Sequence, residues 1–260
     1  MNSERKTLLT LIYTALFIAL CFAGTSIAIP FGASKVHLGN FFCILAGLLC
    51  GPLVGGIAGS VGMGLSDLML GYAWTTTVRT FALKFLMGFL VGWVFRLLLK
   101  KNAKGTPLLF VVSGISHALF VYSLVTYFTA YNATYSLALV ILSSILLFLA
   151  LLTLAFSFKL SPVNKCLSFA LVIALSVNVV GEFFLRFFIN LIVGMDAGKA
   201  MLTSYTKLPA ALLTSIVTIL GIALLFYPVY YATEKLNGLN DLAPYLPRRK
   251  KKEEGEEKVK

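Results

Sequence analysis

Long apolar stretches alternate with short polar connections along almost the whole chain. Mostly apolar runs cover 7–30, 41–58, 60–73, 76–99, 107–128, 133–158, 165–194 and 209–231. A helix needs about 20 such residues to cross the hydrocarbon core of a bilayer. The pattern therefore predicts an all-α integral membrane protein with a bundle of about eight transmembrane helices. The run 60–73 is short for a span, whereas the runs 76–99 and 165–194 are long enough to tilt.

The composition agrees with a chain that is solvated by lipid. Apolar residues make up 59% of its 260 residues and charged residues only 12%, against about 25% charged residues in a soluble domain. The formal net charge of +12 comes from Lys and Arg that flank the apolar runs. These charges form no continuous surface that could bind nucleic acid. They are therefore interpreted as topology signals, and no nucleic-acid partner is expected.

The distribution of basic residues predicts the orientation of the bundle. With the N-terminus inside, the inner connections 100–106 and 159–164 and the tail after 231 hold most of the Lys and Arg, including the cluster 248–252. The outer connections hold only Lys35, Lys199 and Lys207. By the positive-inside rule both termini are cytoplasmic. We expect one transmembrane domain over 1–235 and a cytoplasmic charged tail over 236–260, with the first apolar run kept as a helix because it is long for a signal peptide.

Five ionisable residues lie inside predicted spans: Asp67, Arg79, Lys84, Glu182 and Arg186. Charges in the membrane are costly, so each is a candidate functional residue with a partner to be found. Their positions predict that all five lie at or above the midplane, on the outer side. Glu182 and Arg186 are spaced to pair along one helix, and Lys84 lies at a depth from which it could instead reach Glu182. Either they form a structural ion-pair network, or they line an outward-facing pocket whose charge of +1 suits a carboxylate or phosphate.

Several other residues leave two interpretations open. Asn178 and Asn190 either line the same cavity or join helices by hydrogen bonds. Tyr72 and Trp74 either stack on a flat ring of a ligand or belong to the interfacial aromatic belt. His117, alone in a predicted span, is interpreted as a hydrogen-bonded bundle residue.

Small residues recur at helical spacing in two places. Gly47, Gly51, Gly55 and Gly59 form consecutive GxxxG steps, which allow close approach of another helix inside or outside the chain. Pro52 within this stretch predicts a kink. In the first run, Ala15, Ala19 and Ala23 form two overlapping AxxxA steps.

Motifs for catalysis, metals and nucleotides are missing from the sequence. Cys21, Cys43, Cys50 and Cys166 lack metal-type spacing and are interpreted as buried apolar residues. No GxxxxGK[ST], HExxH or GxSxG element occurs. We therefore expect no enzyme activity, no metal and no cofactor, and any ATP hydrolysis would come from separate subunits. No repeated half with broken helices is evident, which argues against an inverted-repeat transporter.

Residues 36–93 combine a loop ending in LGN, a Gly-rich GP..GG.AG helix, a G..L.DL..GY segment and a T....K...G...G helix. This block resembles the S component, the substrate-capturing subunit, of energy-coupling factor (ECF) transporters. A second block, 181–216, is similar to the last two core helices of that family and their connecting loop. With the first helix, the two blocks cover about half of the chain.

The resemblance implies a high-affinity subunit in the bacterial plasma membrane that captures a vitamin or related micronutrient from outside. It would dock on a transmembrane coupling subunit driven by two ATPase subunits. The family's AxxxA motif, which contacts the coupling subunit, maps onto Ala15 and Ala19. The family's ligand is held by the loop after the first helix and by the outer parts of the last three core helices. Those positions correspond here to His37, Asn40, Arg79, Lys84, Glu182, Arg186, Asn190 and Lys207.

The predicted helix count departs from the family. Its members usually have six helices, so residues 107–158 are interpreted as a two-helix insertion that could border the pocket. Riboflavin, pyridoxine, pyrimidine precursors and folate all suit a mixed aromatic and polar pocket. The main alternative is a stand-alone secondary transporter that uses Glu182 or Asp67 as a proton site, and a second is a membrane scaffold or membrane enzyme.

Overall fold

The computed structural model describes residues 3–31, 34–100, 106–129 and 161–234 and part of 140–151. The described chain is helical apart from one hairpin and the turns, which confirms the all-α membrane protein. Four helical stretches are long and apolar enough to cross a membrane: Ser3–Ser26, Trp74–Lys100, Pro162–Ile192 and Ala197–Ala232. The eight-span count and the cytoplasmic termini stay predictions. The tail 236–260 and most of the predicted span 133–158 lie outside the described residues.

The elements follow one another in a simple order. They are α1 (Ser3–Ser26), β1 (Ala28–Phe31), β2 (Ser34–His37), α2 (Gly39–Cys50), α3 (Pro52–Met69), α4 (Trp74–Lys100), α5 (Thr106–Thr129), α6 (Pro162–Ile192), α7 (Ala197–Tyr205) and α8 (Leu208–Glu234). Strands β1 and β2 pair antiparallel, with Ala28 opposite His37 and Phe31 opposite Ser34. Strand β2 and helix α7 lie in segments that the hydropathy pattern predicted only as outer connections. The predicted span 7–30 is too long at its outer end, because α1 ends at Ser26 and residues 28–30 belong to β1.

The predicted single span 41–58 is wrong, because the chain breaks at Gly51 into α2 and α3. Gly51 adopts a φ of 108°, which a residue with a side chain rarely adopts, and Pro52 begins the next helix. Proline suits this first position because its missing N–H would have no partner there. It therefore starts a helix and does not kink one. At 12 residues, or about 18 Å, α2 is too short to cross a bilayer alone. The predicted short span 60–73 is the second half of α3 and the turn that follows.

The glycine stripe brings α2, α3 and α4 into backbone contact. A Cβ added at Gly47 would lie 2.6 Å from the carbonyl oxygen of Gly88, and one at Gly92 would lie 2.6 Å from that of Gly47. A Cβ at Gly55 would lie 2.5 Å from the Cα of Gly47 and 2.9 Å from the carbonyl oxygen of Gly88. The partner of the GxxxG steps is therefore a helix of the same chain. On another face of α3, Gly62 approaches the backbone of α1 at Ile18.

Local capping fixes the ends of α6 and α7. The Ser161 hydroxyl accepts a hydrogen bond from the Asn164 N–H (3.3 Å) at the start of α6. The Asp196 carboxylate accepts from the N–H groups of Gly198 (3.0 Å) and Lys199 (3.3 Å) at the start of α7. Side chains at this position satisfy donors that have no partner within the helix. Gly194, with a φ of 85°, makes the turn between the two helices.

The apolar core fills the half of the bundle that is remote from the hairpin. It joins α2 to α1, α3, the C-terminal half of α4, the N-terminal half of α6 and the C-terminal half of α8. The rings of Phe95 and Phe226 meet edge to face at 6.0 Å. The four cysteines are buried free thiols, as predicted. This packing holds the helices together at one end and leaves the polar side chains to the other.

Candidate functional site

A cavity of about 600 Å³ lies at the hairpin end of the bundle. Its walls come from the hairpin, the end of α1, the beginning of α2, the second half of α3, the first half of α4, the second half of α6 and the beginning of α8, with Lys207 just before α8. This volume lies within the range of small-molecule sites. The described residues of α5 and of 140–151, in the predicted insertion, contribute nothing to the lining.

The structure brings together most of the residues predicted for the site. Seven of the eight line the cavity: His37, Asn40, Arg79, Lys84, Glu182, Arg186 and Lys207. Asn190 is the exception, because it lies two helical turns, about 12 Å, beyond Glu182 along α6. Its side-chain nitrogen is buried and has no hydrogen-bond partner among the described residues. His117 is exposed on α5, outside the lining.

Asn178 connects four helices at the floor of the cavity. Its side-chain oxygen accepts hydrogen bonds from Lys84 Nζ (2.6 Å) and Asn40 Nδ2 (3.2 Å). Its amide nitrogen donates to the Ser215 hydroxyl (3.0 Å) and to the Ala211 carbonyl (3.3 Å). Asn178 therefore both lines the cavity and joins helices, which combines the two predicted interpretations. The alternative pairing of Lys84 with Glu182 is not formed, because Lys84 donates to this amide and, in the described part of the chain, has no carboxylate within ion-pair distance.

Glu182 binds two guanidinium groups through one oxygen. Arg186 Nη2 lies 2.6 Å from Glu182 Oε1, which confirms the predicted pair along α6. Arg79 Nη2, from α4, lies 3.3 Å from the same oxygen. The Nε atoms of both arginines are buried without a hydrogen-bond partner in the described structure. One carboxylate thus serves two cations and leaves some of their donors unused.

Asp67 forms a second polar cluster nearer the hairpin. The Thr80 hydroxyl donates to Asp67 Oδ2 (2.6 Å), and Lys35 Nζ lies 3.4 Å from Oδ1. Lys35 Nζ also lies 4.6 Å from the centre of the Tyr72 ring, a cation–π contact. Tyr72 lines the cavity, whereas Trp74 is 69% exposed and does not.

Asp67, one of the five intramembrane charges of the predicted pocket, lines the cavity, and so does Lys35, which the sequence did not indicate as a site residue. Lys35 was treated only as an outer-loop charge. Its spacing from His37 carried a usable signal, because residues two apart on a strand point to the same face. Thr80 has no comparable signal, since a lone threonine in an apolar helix is common at helix contacts.

His37 holds its imidazole neutral in the wall of the cavity. Burial is the main cause, and the neighbouring Lys84 and Lys35 add to it, so the pKa of His37 falls to about 3, against the opposing effect of Glu182. Its Nδ1 accepts a hydrogen bond from the Gly39 N–H at 3.2 Å. The neutral ring therefore carries its proton on Nε2.

The two alanines predicted to contact a coupling subunit lie away from the cavity. Ala15 and Ala19 are exposed on α1 and take no part in the lining. Within the described residues, no group of three or more His, Cys, Asp or Glu side chains is placed to hold a metal ion.

Comparison with known proteins adds one family and one relative. The family model described as ECF-type riboflavin transporter, S component, matches residues 5–155, more than half of the chain. The match includes most of the predicted insertion and ends before α6. A Pyrococcus woesei protein described as an uncharacterized protein in gap 3′ region is 40% identical over 68 residues, which are 26% of this chain and 44% of that protein. The chain thus matches less than half of that relative's length, and no solved structure matches it.

Proposed function

The chain belongs to the family of ECF-type transporter S components, and we propose that it captures a vitamin-like micronutrient for an ATP-driven importer. Capture needs a site that is open at one face of the bundle and lined by groups that orient a small molecule. The observation that carries the proposal is the cavity of about 600 Å³ at the hairpin end. Its polar lining residues come from separate elements, which is typical of a binding site.

The hairpin end of the bundle would face the outside of the cell. The connections at this end hold few basic residues, and the positive-inside rule places such loops outside. A ligand would then enter from the exterior between the hairpin and the α7–α8 turn. The location would be the plasma membrane of a bacterium, with the chain crossing it several times.

The proposed partners are a transmembrane coupling subunit and two ATPase subunits. Ala15 and Ala19 support this part of the proposal, because they are exposed on α1 and small side chains allow another helix to approach closely. The sequence contains no phosphate-binding loop of its own. The chain would therefore depend on its partners for energy.

Riboflavin is the first compound to test, because it is named in the description of the matched family. Tyr72 offers one aromatic face in the cavity wall, and polar groups such as Asn40 and Asn178 offer hydrogen bonds. These features also suit other flat heterocyclic vitamins. The family match ends before α6, which carries Asn178, Glu182 and Arg186, so the test uses a panel of vitamins and not riboflavin alone.

The deciding experiment is to purify the chain in mild detergent, denature it and identify any released small molecule by mass spectrometry. We expect one vitamin-like compound at about one molecule per chain, or a tight binder in a thermal-shift panel that includes riboflavin. An empty protein that responds to no member of the panel would contradict the capture role. Uptake by the chain alone, abolished by a protonophore but insensitive to ATP depletion, would instead favour a proton-coupled transporter.

A further inference from the structure

The charged side chains that line the cavity are unequal in sign. Five are cationic and two are carboxylates: Lys35, Arg79, Lys84, Arg186 and Lys207 against Asp67 and Glu182. With His37 neutral, the lining carries a net charge of +3. The sequence alone gave +1 for the intramembrane charges, because Lys35 and Lys207 were counted as loop residues.

Both carboxylates of the lining are already occupied. Asp67 accepts from Thr80 and pairs with Lys35. Glu182 shares one oxygen between Arg79 and Arg186. Lys84 and Lys207 have no carboxylate within ion-pair distance in the described residues. The excess of three positive charges therefore comes from Lys84 at the floor of the cavity, from Lys207 at the α7–α8 turn, and from the two arginines that share the single charge of Glu182.

Lys84 is the most informative of these cations. It lies within a membrane-spanning helix and is only 7% exposed, and the one hydrogen bond of its ammonium group in the described structure goes to the neutral amide of Asn178. A buried ammonium is costly unless a negative charge accompanies it. Asn178 fixes the position of Lys84 but supplies no charge.

We infer that the molecule bound in this cavity carries a carboxylate or phosphate, which is held by Lys84 with help from Lys207 and the unused donors of Arg79 and Arg186. Charge-assisted hydrogen bonds from such groups are the strong ones. A neutral ligand would leave the cavity with its full positive excess. This inference rests on the proposed function, since it names the chemical class of the substrate that the same cavity would capture.

The first test compares pairs of compounds that differ in one anionic group. Riboflavin 5′-phosphate with riboflavin tests for phosphate, and nicotinate with nicotinamide tests for carboxylate. The charge of any compound that co-purifies with the chain is determined alongside. We expect an anionic co-purified compound, or an anionic pair member that binds at least about tenfold more tightly than its neutral partner. The pair that shows the difference identifies the group.

The outcomes separate this inference from the proposed function. A neutral compound that binds stoichiometrically, with no gain from an added anionic group, would overturn the anion assignment and leave the capture role intact. An empty chain that binds neither member of either pair, and no member of the vitamin panel, would overturn both.

Variants locate the anionic group. Lys84→Met and Lys207→Gln should each weaken binding of the anionic compound by about tenfold or more, with little effect on its neutral partner. Lys84→Met should fold, because Asn40 still donates to the same oxygen of Asn178. Lys199→Gln is the matched control, since it removes the same charge from an exposed position outside the lining. Unchanged affinity in both cavity variants would overturn the inference.

Discussion

The guanidinium of Arg79 lies 3.3 Å from the carboxylate of Glu182, across the contact between α4 and α6. Both residues also line the cavity. The sequence left a structural ion-pair network and a polar pocket as alternatives for these charges. In the structure, the same side chains form the ion pair and line the pocket, because the ion pair is part of the cavity wall. Substitutions here should therefore be tested separately for stability and for binding.

Glu182→Gln should destabilise the fold. The change leaves the charges of Arg79 and Arg186 together without a counter-ion in a largely buried site, which costs on the order of 3 kcal/mol. The measurement is the free energy of unfolding in a detergent titration. Glu4→Gln, the same substitution at an exposed position of α1, is the control and should change little. Equal stability of the two variants would mean that Glu182 does not hold α4 and α6 together.

The Lys35–Asp67 ion pair should tie the hairpin to α3. A double-mutant cycle with Lys35→Gln and Asp67→Asn should give a coupling energy of about 1 kcal/mol, since the pair is only partly shielded from solvent. Either single variant should also raise the hydrogen-exchange rate of residues 28–37, because the hairpin loses its charged contact. Additive single effects, with unchanged exchange, would show that the hairpin is held by other contacts.

Gly88→Ala should disrupt the packing of α4 on α3. The new Cβ would meet the backbone carbonyl of Gly55, and backbone cannot move aside as a flexible side chain can. Overpacking of this kind costs about 1–3 kcal/mol. Gly114→Ala is the control, because a Cβ there has nothing within 4 Å. Thermal unfolding in detergent should show a large drop for the first variant only, and similar melting temperatures would contradict the close helix contact.

The sequence predicted the charged members of the cavity well because charges in lipid are rare and costly. Arg79, Lys84, Glu182 and Arg186 were identified on that ground alone. It could not predict their partners, since pairing depends on how α4 and α6 rotate against each other. That rotation is set by packing, which hydropathy does not encode. Hence Glu182 was one candidate partner for Lys84, and the structure instead places Lys84 at Asn178.

The helix boundaries show a second limit of the sequence. The break at Gly51 lies between two apolar segments, so hydropathy alone gave no sign of it. Pro52 was the signal at this point, but it was interpreted as a kink within one helix, and the φ of 108° at Gly51 shows that one helix ends there and another begins. Helix α7 was likewise missed, because its segment was predicted as a connection. Asp196, which caps the start of α7 by accepting a hydrogen bond from the Gly198 N–H, is a residue type that commonly begins a helix and was a usable signal.

Ala15→Trp and Ala19→Trp should block transport and leave ligand binding unchanged. Both alanines are exposed on α1 and lie outside the cavity lining, so added bulk would obstruct a docking helix but not the ligand. Ligand affinity of the purified chain and uptake with co-expressed partner subunits are measured in parallel. Leu224→Trp, at a 73% exposed position of α8, is the control for bulk on the membrane-facing surface. Loss of binding in both alanine variants would count against the docking role.

The neutral state of His37 predicts a stability that depends on pH. An unfolded histidine titrates near pH 6.5, whereas burial and the nearby Lys84 and Lys35 hold the pKa of folded His37 at about 3. Between these values the unfolded chain binds a proton that the folded chain does not. The free energy of unfolding is therefore highest above about pH 6.5 and falls below it, by at most about 1.4 kcal/mol per pH unit.

Melting temperatures from pH 7.5 to 5 should decline for the native chain and much less for His37→Gln. His117→Gln is the control, because His117 is exposed and should leave the decline in place. A decline that persists in His37→Gln would show that another group carries the pH dependence.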